Sequence, residues 1–339
     1  MADGTTDQGA ETFMESVGSL LDSASVSHFY TLPLDEWVEF FVKDWLVPNF
    51  RPFFQAIQWP VNQVLSGLDA FLNGVPFIVF LAVAVIVAWR VAGRGVGGFT
   101  LVSLVLIDMI GIWSETMTTL AMVLTAVIFC AAVGVPLGIA AARSDRFASV
   151  LRPILDVMQT IPPFVYLVPI VMLFGVGIVP GVIATIVFAL PPIIRLTNLG
   201  IRQVHKEMVE AGIAFGANNW QLLVEIQIPQ ALRTIMAGLN QTLMLALSMV
   251  VIAALIGAGG LGLTVNTGLG RLDVGLAFIG GLGVALMAII LDRITQALGD
   301  PAGAQGANWT FKGLFRMLFT RGAAHDAAHH GVTASEGGR

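Results

Sequence analysis

One cysteine and three lysines in 339 residues rule out several functions at once. With Cys130 as the sole thiol, no disulfide framework and no thiolate metal site can form within one chain, and its apolar setting reads as inert packing. None of Lys43, Lys206 and Lys312 follows the glycine or precedes the Ser or Thr of a phosphate-binding loop, which excludes ATP binding of that kind. The five histidines, His28, His205, His325, His329 and His330, lie outside the apolar runs, so metal-assisted hydrolysis within a membrane has no ligand set. Carboxylates in or beside those runs are limited to Asp108, Asp156 and Asp292, too few for a proton relay or an acid–base pair. Residues 1–30 have neither a basic start nor an early apolar core, so a secretory signal is not expected there.

Charged residues make up 12% of the chain and hydrophobic ones 56%, the composition of an all-α integral membrane protein. Crossing a hydrocarbon core of about 30 Å takes roughly 20 apolar residues per helix. About seven spans are predicted, at 76–93, 98–113, 117–141, 154–174, 179–196, 234–256 and 275–297. The second contains Asp108, which is least costly near the outer end of its span; a role on a substrate pathway is the other reading.

Basic residues cluster after alternate spans: Arg90 and Arg94; Arg143, Arg146 and Arg152; Arg195, Arg202, Lys206 and Arg233; Arg293, Lys312, Arg316 and Arg321. The intervening loops hold only Arg271. Because positive residues stay in the cytoplasm, the N-terminus is expected outside and the C-terminus inside. An acidic stretch at 1–30 reads as disordered. Residues 31–75 place Trp37, Val38, Phe41 and Trp45 on one helical face, continued by Phe53, Phe54, Ile57 and Trp59, as an interfacial anchor or as a segment packed on the spans. Residues 76–113 form two peripheral spans, 114–299 the core, and 300–339 a cytoplasmic tail. The tail's His325, His329 and His330 are set in Gly-rich sequence that rarely holds a metal cage, and a cytoplasmic tail makes its Asn308-Trp309-Thr310 sequon irrelevant.

Between the fifth and sixth spans lies a polar but structured stretch, 202–233. His205 to Phe215 reads as a helix and Gly216-Ala217 as a turn. Asn218 with Gln221 three residues on forms a capping box, and Pro229 is expected to stop the second helix. Small residues at Ala211, Gly212 and Gly216 permit close backbone approach, while Trp220, Leu222, Leu223 and Ile226 offer an apolar anchor. Such a helix pair either docks into a partner's groove or packs on its own bundle.

Glu210-Ala211-Gly212, Gly216 and Ile226-Gln227-Ile228-Pro229 resemble the EAA loop of ABC importer permeases, with Gly212 for the second Ala and Ile228 for the Leu. The runs Asp156 to Leu167, Phe188 to Arg195 and Asn240 to Gly262 resemble, more narrowly, the permease of glycine betaine/proline osmoprotectant importers. The resemblance covers roughly residues 30–300 and implies a type I ABC importer permease core. It implies that Glu210, Ala211, Gly212, Gly216, Trp220, Ile226, Ile228 and Pro229 couple the chain to a separate ATPase, which binds ATP and Mg; no cofactor is expected in this chain. The single loop implies a homodimer, or a paralogous pair, with two ATPase subunits and an external substrate-binding protein, periplasmic or lipid-anchored, in a bacterial inner membrane. Membrane lipid is the other expected partner, and nucleic acid is not one.

Prolines 162, 163, 169, 191 and 192 are expected to break helices at membrane depth, where freed backbone must be buried in protein or line a cavity. Gln159, Thr160, Asn240, Gln241, Thr242 and Ser248 set neutral polar groups on two spans, either along a path for a zwitterion or as bonds between helices. Glycines 257, 259, 260 and 262 permit a tight turn, and Gly280, Gly281 and Gly283 close packing of the last span. The resemblance leaves open a permease for choline, carnitine or methionine. A stand-alone osmolyte channel or ion-coupled carrier is the reading from another class, and it leaves the structured loop unexplained.

Overall fold

The computed structural model describes residues 36–37 and 40–299. Residues 1–30 and 300–339, with four of the five histidines, and Val38 lie outside the described residues. All regular structure among the described residues is helical. The chain divides into two units, Met1–Arg51 and Pro52–Arg339.

In the first unit, a π-helical segment Phe40–Leu46 leads into α1, Val47–Gly74, which from Pro52 on belongs to the second unit. The Asn49 amide donates to the Trp45 carbonyl at 2.6 Å, and the Trp45 and Phe50 rings lie 5.7 Å apart. Trp37 and Trp45 are exposed.

The second unit carries α2 Phe77–Ala92, α3 Arg94–Ile110, α4 Trp113–Arg143, α5 Asp145–Thr160, α6 Pro163–Phe174 and α7 Ile178–Arg202. After α8, Lys206–Ala214, come α9 Ile228–Ala253, α10 Leu261–Arg271 and α11 Val274–Gly299. Within α1, Val61, Leu65 and Leu72 are buried at helical spacing, while Trp59 and Phe71 face outward. Phe54 meets Phe174 edge to face at 5.4 Å, and the Ser114 hydroxyl donates to Asn73 at 3.3 Å. From Pro52 on, this helix therefore packs on the bundle through one face, and its other face is exposed.

Helix α7 lies at the centre, between α4 and α9. Glycines let the three approach closely: a methyl at Gly138 of α4 would sit 2.5 Å from Thr197 Cβ, and one at Gly238 of α9 would sit 3.0 Å from Leu196 Cβ. The interior is apolar, with Met122, Ile193, Ile194, Met249 and Leu261 almost fully enclosed. Cys130 is buried here and donates weakly to the Ile186 carbonyl at 3.6 Å. Outward faces are also apolar, as on α2 with Ile78, Val83 and Ile86, the pattern of a bundle set in hydrocarbon.

Among the described residues, four helices are long and apolar enough to cross a membrane: Trp113–Arg143, Ile178–Arg202, Asn219–Ile256 and Val274–Gly299. Two bent pairs raise the number to six, Pro52–Gly74 with Phe77–Ala92 at 105° and Asp145–Thr160 with Pro163–Phe174 at 100°. Four to six spans thus stand beside the expected seven, and the expected span outside that count is α3, with 17 residues and about 26 Å of length after a break at Gly93. Asp108 sits exposed two residues before the end of α3.

The expected proline breaks are confined to one place. Pro162-Pro163 separates α5 from α6, and because Pro162 has no N–H the Met158 carbonyl loses its helical donor. The Tyr166 hydroxyl donates to that carbonyl instead. Pro169 lies inside α6, and Pro191 and Pro192 are buried inside an unbroken α7, gripped from both sides by α4 and α9. Pro229 does not stop its helix either. Leu222–Gln227 is π-helical, the Ile228 N–H reaches back to the Leu223 carbonyl, and Pro229 enters α9 in its first turn, where no N–H is needed.

At the end of the bundle away from the loop, Gly257 (φ +81°) closes α9 after a 3-10 turn. Gly260 (φ +73°) opens α10, and the Leu261 N–H donates to the Thr119 hydroxyl at 2.8 Å. Helix α10 was not expected from sequence. Gly280 and Gly283 of α11 sit against Val265 and Leu261 at close range, whereas Gly281 faces open space.

Candidate functional site

The loop after α7 is a stiff helix pair. Helix α8 ends in a Schellman motif: the Gly216 N–H donates to the Ile213 carbonyl at 2.9 Å and the Ala217 N–H to the Gly212 carbonyl at 3.0 Å. That closure needs the left-handed φ of +82° at Gly216, whose Cα faces open space. Conformation, rather than close approach within this chain, therefore calls for glycine. The capping box is present: Asn218 Oδ1 accepts from the Trp220 and Gln221 N–H groups at 3.0 and 2.8 Å, and Gln221 Oε1 accepts from the Asn218 N–H at 3.0 Å. Gly212 is buried beneath the returning segment, where an added Cβ would lie 2.5 Å from Ile226 Cδ1 and 3.0 Å from Leu222 Cδ1. Ile226 and Leu223 thus face inward, Leu223 being 2% exposed.

What the loop turns outward is Phe215, 93% exposed, and Trp220, 68% exposed, flanked by Ile213, Met208 and Val224. Phe215 was missed from sequence because it falls between the motif positions. Glu210 and Ala211 are exposed, Ile228 is half-buried against the core, and Pro229 is exposed. Between the loop and the ends of α4 and α7 runs a cleft of about 550 Å³, lined by Arg143, Arg202, Lys206, Glu210, Asn219 and Gln227 among others.

The six polar positions do not share one surface. Asn240 Nδ2 donates to Asp292 Oδ1 of α11 at 3.0 Å, the Thr295 hydroxyl donates to Asn240 Oδ1, and Gln296 Nε2 donates to the Asp292 carboxylate at 2.7 Å. Thr242 is buried. Gln241, Met244 and Ser248 form an exposed stripe along α9, with the Ser248 hydroxyl donating to the Met244 carbonyl at 3.1 Å. Gln159 and Thr160 lie at the bend, where the Thr160 hydroxyl donates to the Val157 carbonyl at 3.3 Å.

A multi-helix membrane bundle with this motif-bearing loop belongs to the class of transport permease subunits. The family described as "Binding-protein-dependent transport system inner membrane component" matches residues 134–300. The permease protein ProW of the glycine betaine/proline betaine transport system of Escherichia coli (strain K12) is 55% identical over 292 residues, 86% of this chain and 82% of that protein. The glycine betaine/carnitine transport permease protein GbuB of Listeria monocytogenes serotype 1/2a (strain 10403S) is 43% identical over 81% of this chain and 98% of its own length. Among solved structures, the inward-facing MetNI methionine ABC transporter aligns at 22% identity and a TM-score of 0.48, over 58% of this chain and 94% of that one. The chain belongs to the binding-protein-dependent transport system inner membrane component family, as its loop motif suggested.

Proposed function

We propose that this chain is the permease subunit of an ATP-driven importer of glycine betaine and proline betaine in a bacterial inner membrane. Its N-terminus lies outside and its C-terminus inside, around a type I importer core, and two copies enclose the path. The substrate class rests on one observation, the 55% identity to a permease of that name over 82% of its length. The coupling role is supported by the loop, whose capped helix pair turns Phe215 and Trp220 outward. Two copies of a separate ATPase would receive those side chains, bind ATP and Mg, and drive the bundle between its open states. An external binding protein delivers substrate, as the family's description as binding-protein-dependent supports. Carnitine is the second candidate substrate, on the strength of the relative named for glycine betaine and carnitine.

The test is uptake of labelled glycine betaine into proteoliposomes containing this chain, its cognate ATPase and its binding protein, with and without ATP, and with carnitine as competitor. ATP-dependent uptake is expected. An assembled complex that hydrolyses ATP but imports neither compound would overturn the substrate assignment; uptake by the chain without the ATPase would overturn the importer reading.

A further inference from the structure

The loop is joined by the chain to α7 on one side and α9 on the other. Among the described residues, one hydrogen bond connects residues 204–227 to any further element: Arg143 Nη2 donates to the Asn219 carbonyl at 2.8 Å. Arg143 is the last residue of α4. A cation in that position is ordinarily explained by the carbonyls that a helix C-terminus exposes. Here Arg202 of α7 takes that role instead. Its Nη2 donates to the Ala141 carbonyl at 2.7 Å, its Nη1 pairs with Asp145 of α5 at 2.6 Å, and its Nε donates to Asn198 at 2.7 Å. Arg202 thus ties α4, α5 and α7 together, and Arg143 reaches across the cleft to the loop.

The stiffness of the loop gives that contact its consequence. With its first helix closed at Gly216, its second capped at Asn218, and Gly212 seated beneath Ile226, the pair moves as one body when pushed. The cleft of about 550 Å³ gives it room to do so. Helices α7 and α9 follow such a movement through the backbone, whereas α4 has no covalent share in it.

We infer that Arg143 is a positioning residue for transport: its hydrogen bond to the Asn219 carbonyl carries displacement of the loop directly into the end of α4, beside the packing and the Arg202 contacts through which α4 already follows α7. The inference rests on the loop being the ATPase-docking element. It needs a donor at the end of a long side chain and no particular fork geometry, so lysine at 143 should largely suffice.

The experiment compares wild type, Arg143→Lys and Arg143→Ala in proteoliposomes with the ATPase and the binding protein, and counts labelled glycine betaine imported per ATP hydrolysed. That ratio does not depend on how much complex folds and inserts. Arg143→Ala is expected to lower it by about fivefold or more, since a charge-assisted hydrogen bond is lost, while hydrolysis stimulated by the binding protein persists. Arg143→Lys is expected to keep more than half of the wild-type ratio. An Arg143→Ala ratio equal to wild type, or uptake and hydrolysis falling in proportion, would overturn the inference. Wild-type vesicles that hydrolyse ATP without importing would instead overturn the functional reading beneath it.

Discussion

Asn240 of α9 donates to the carboxylate of Asp292 on α11 at 3.0 Å, and the Thr295 hydroxyl closes the other side of the same amide. Both ends of that amide are held by the neighbouring helix, which fixes its direction and leaves one N–H and one lone pair for any other partner. The pair behaves as a bond between helices, so Asn240→Ala and Asp292→Ala should each lower the unfolding midpoint in detergent. Their double variant should be non-additive, with a coupling of roughly 0.5–2 kcal/mol, the range measured for polar pairs within membrane bundles. KM for uptake should be unchanged in Asn240→Ala. An altered KM with an unchanged midpoint would return Asn240 to the substrate path.

Tyr166→Phe isolates the bond that stabilises the bend. The hydroxyl supplies the donor that Pro162 withholds from the Met158 carbonyl, and the ring also meets Phe188 edge to face at 6.4 Å. Phenylalanine keeps the ring contact and removes only the donor. A loss of about 1–2 kcal/mol is expected, read from thermal unfolding of the purified chain. An unchanged midpoint would mean that the carbonyl finds another donor in detergent.

The two halves of the loop were unequally legible. Asn218, Gln221 and Gly216 act over three residues or fewer through their own side-chain or backbone chemistry, and such local signals survive in the sequence. Pro229 misled because its usual effect assumes an α-helical register; six π-helical residues just before it shift that register and leave proline where no N–H is required. Pro191 and Pro192 misled for a tertiary reason, the close grip of α4 and α9 on α7. Helix α10 escaped notice because Leu261 to Arg271 carries three glycines and is short, so neither length nor periodicity announces it. The direction in which Asn240 points depends on where α11 lies, which no local pattern encodes.

Gly216 can be tested by choosing side chains for their backbone tolerance. A Cβ there meets nothing within 4 Å in this chain, yet a left-handed φ of +82° costs an ordinary residue about 1–2 kcal/mol. Asparagine tolerates that conformation and valine does not. Gly216→Asn should therefore retain most uptake at equal membrane abundance if the glycine serves only the Schellman closure, while Gly216→Val should lose it. Equal losses in the two variants would show that the open space beside Gly216 is filled by the partner ATPase.

Phe215 and Trp220 provide the sharpest separation of docking from folding. They are 93% and 68% exposed, so replacing them removes little burial from the chain itself. Aromatic side chains standing free on a stiff scaffold are what a partner's pocket takes up, at a typical cost of at least about 2 kcal/mol when they are truncated at an interface. Phe215→Ala and Trp220→Ala should leave the unfolding midpoint of the isolated chain within about 0.5 kcal/mol of wild type, as surface substitutions do. Each should weaken capture of the ATPase in detergent by about thirtyfold, the equivalent of that 2 kcal/mol. Ile226→Ala should do the reverse, lowering the midpoint because its side chain packs over Gly212 inside the pair. If Phe215→Ala and Trp220→Ala bind the ATPase as wild type does, the proposed docking role of these two side chains fails, and Glu210 and Ala211 on the exposed side of α8 are the next positions at which to test the loop.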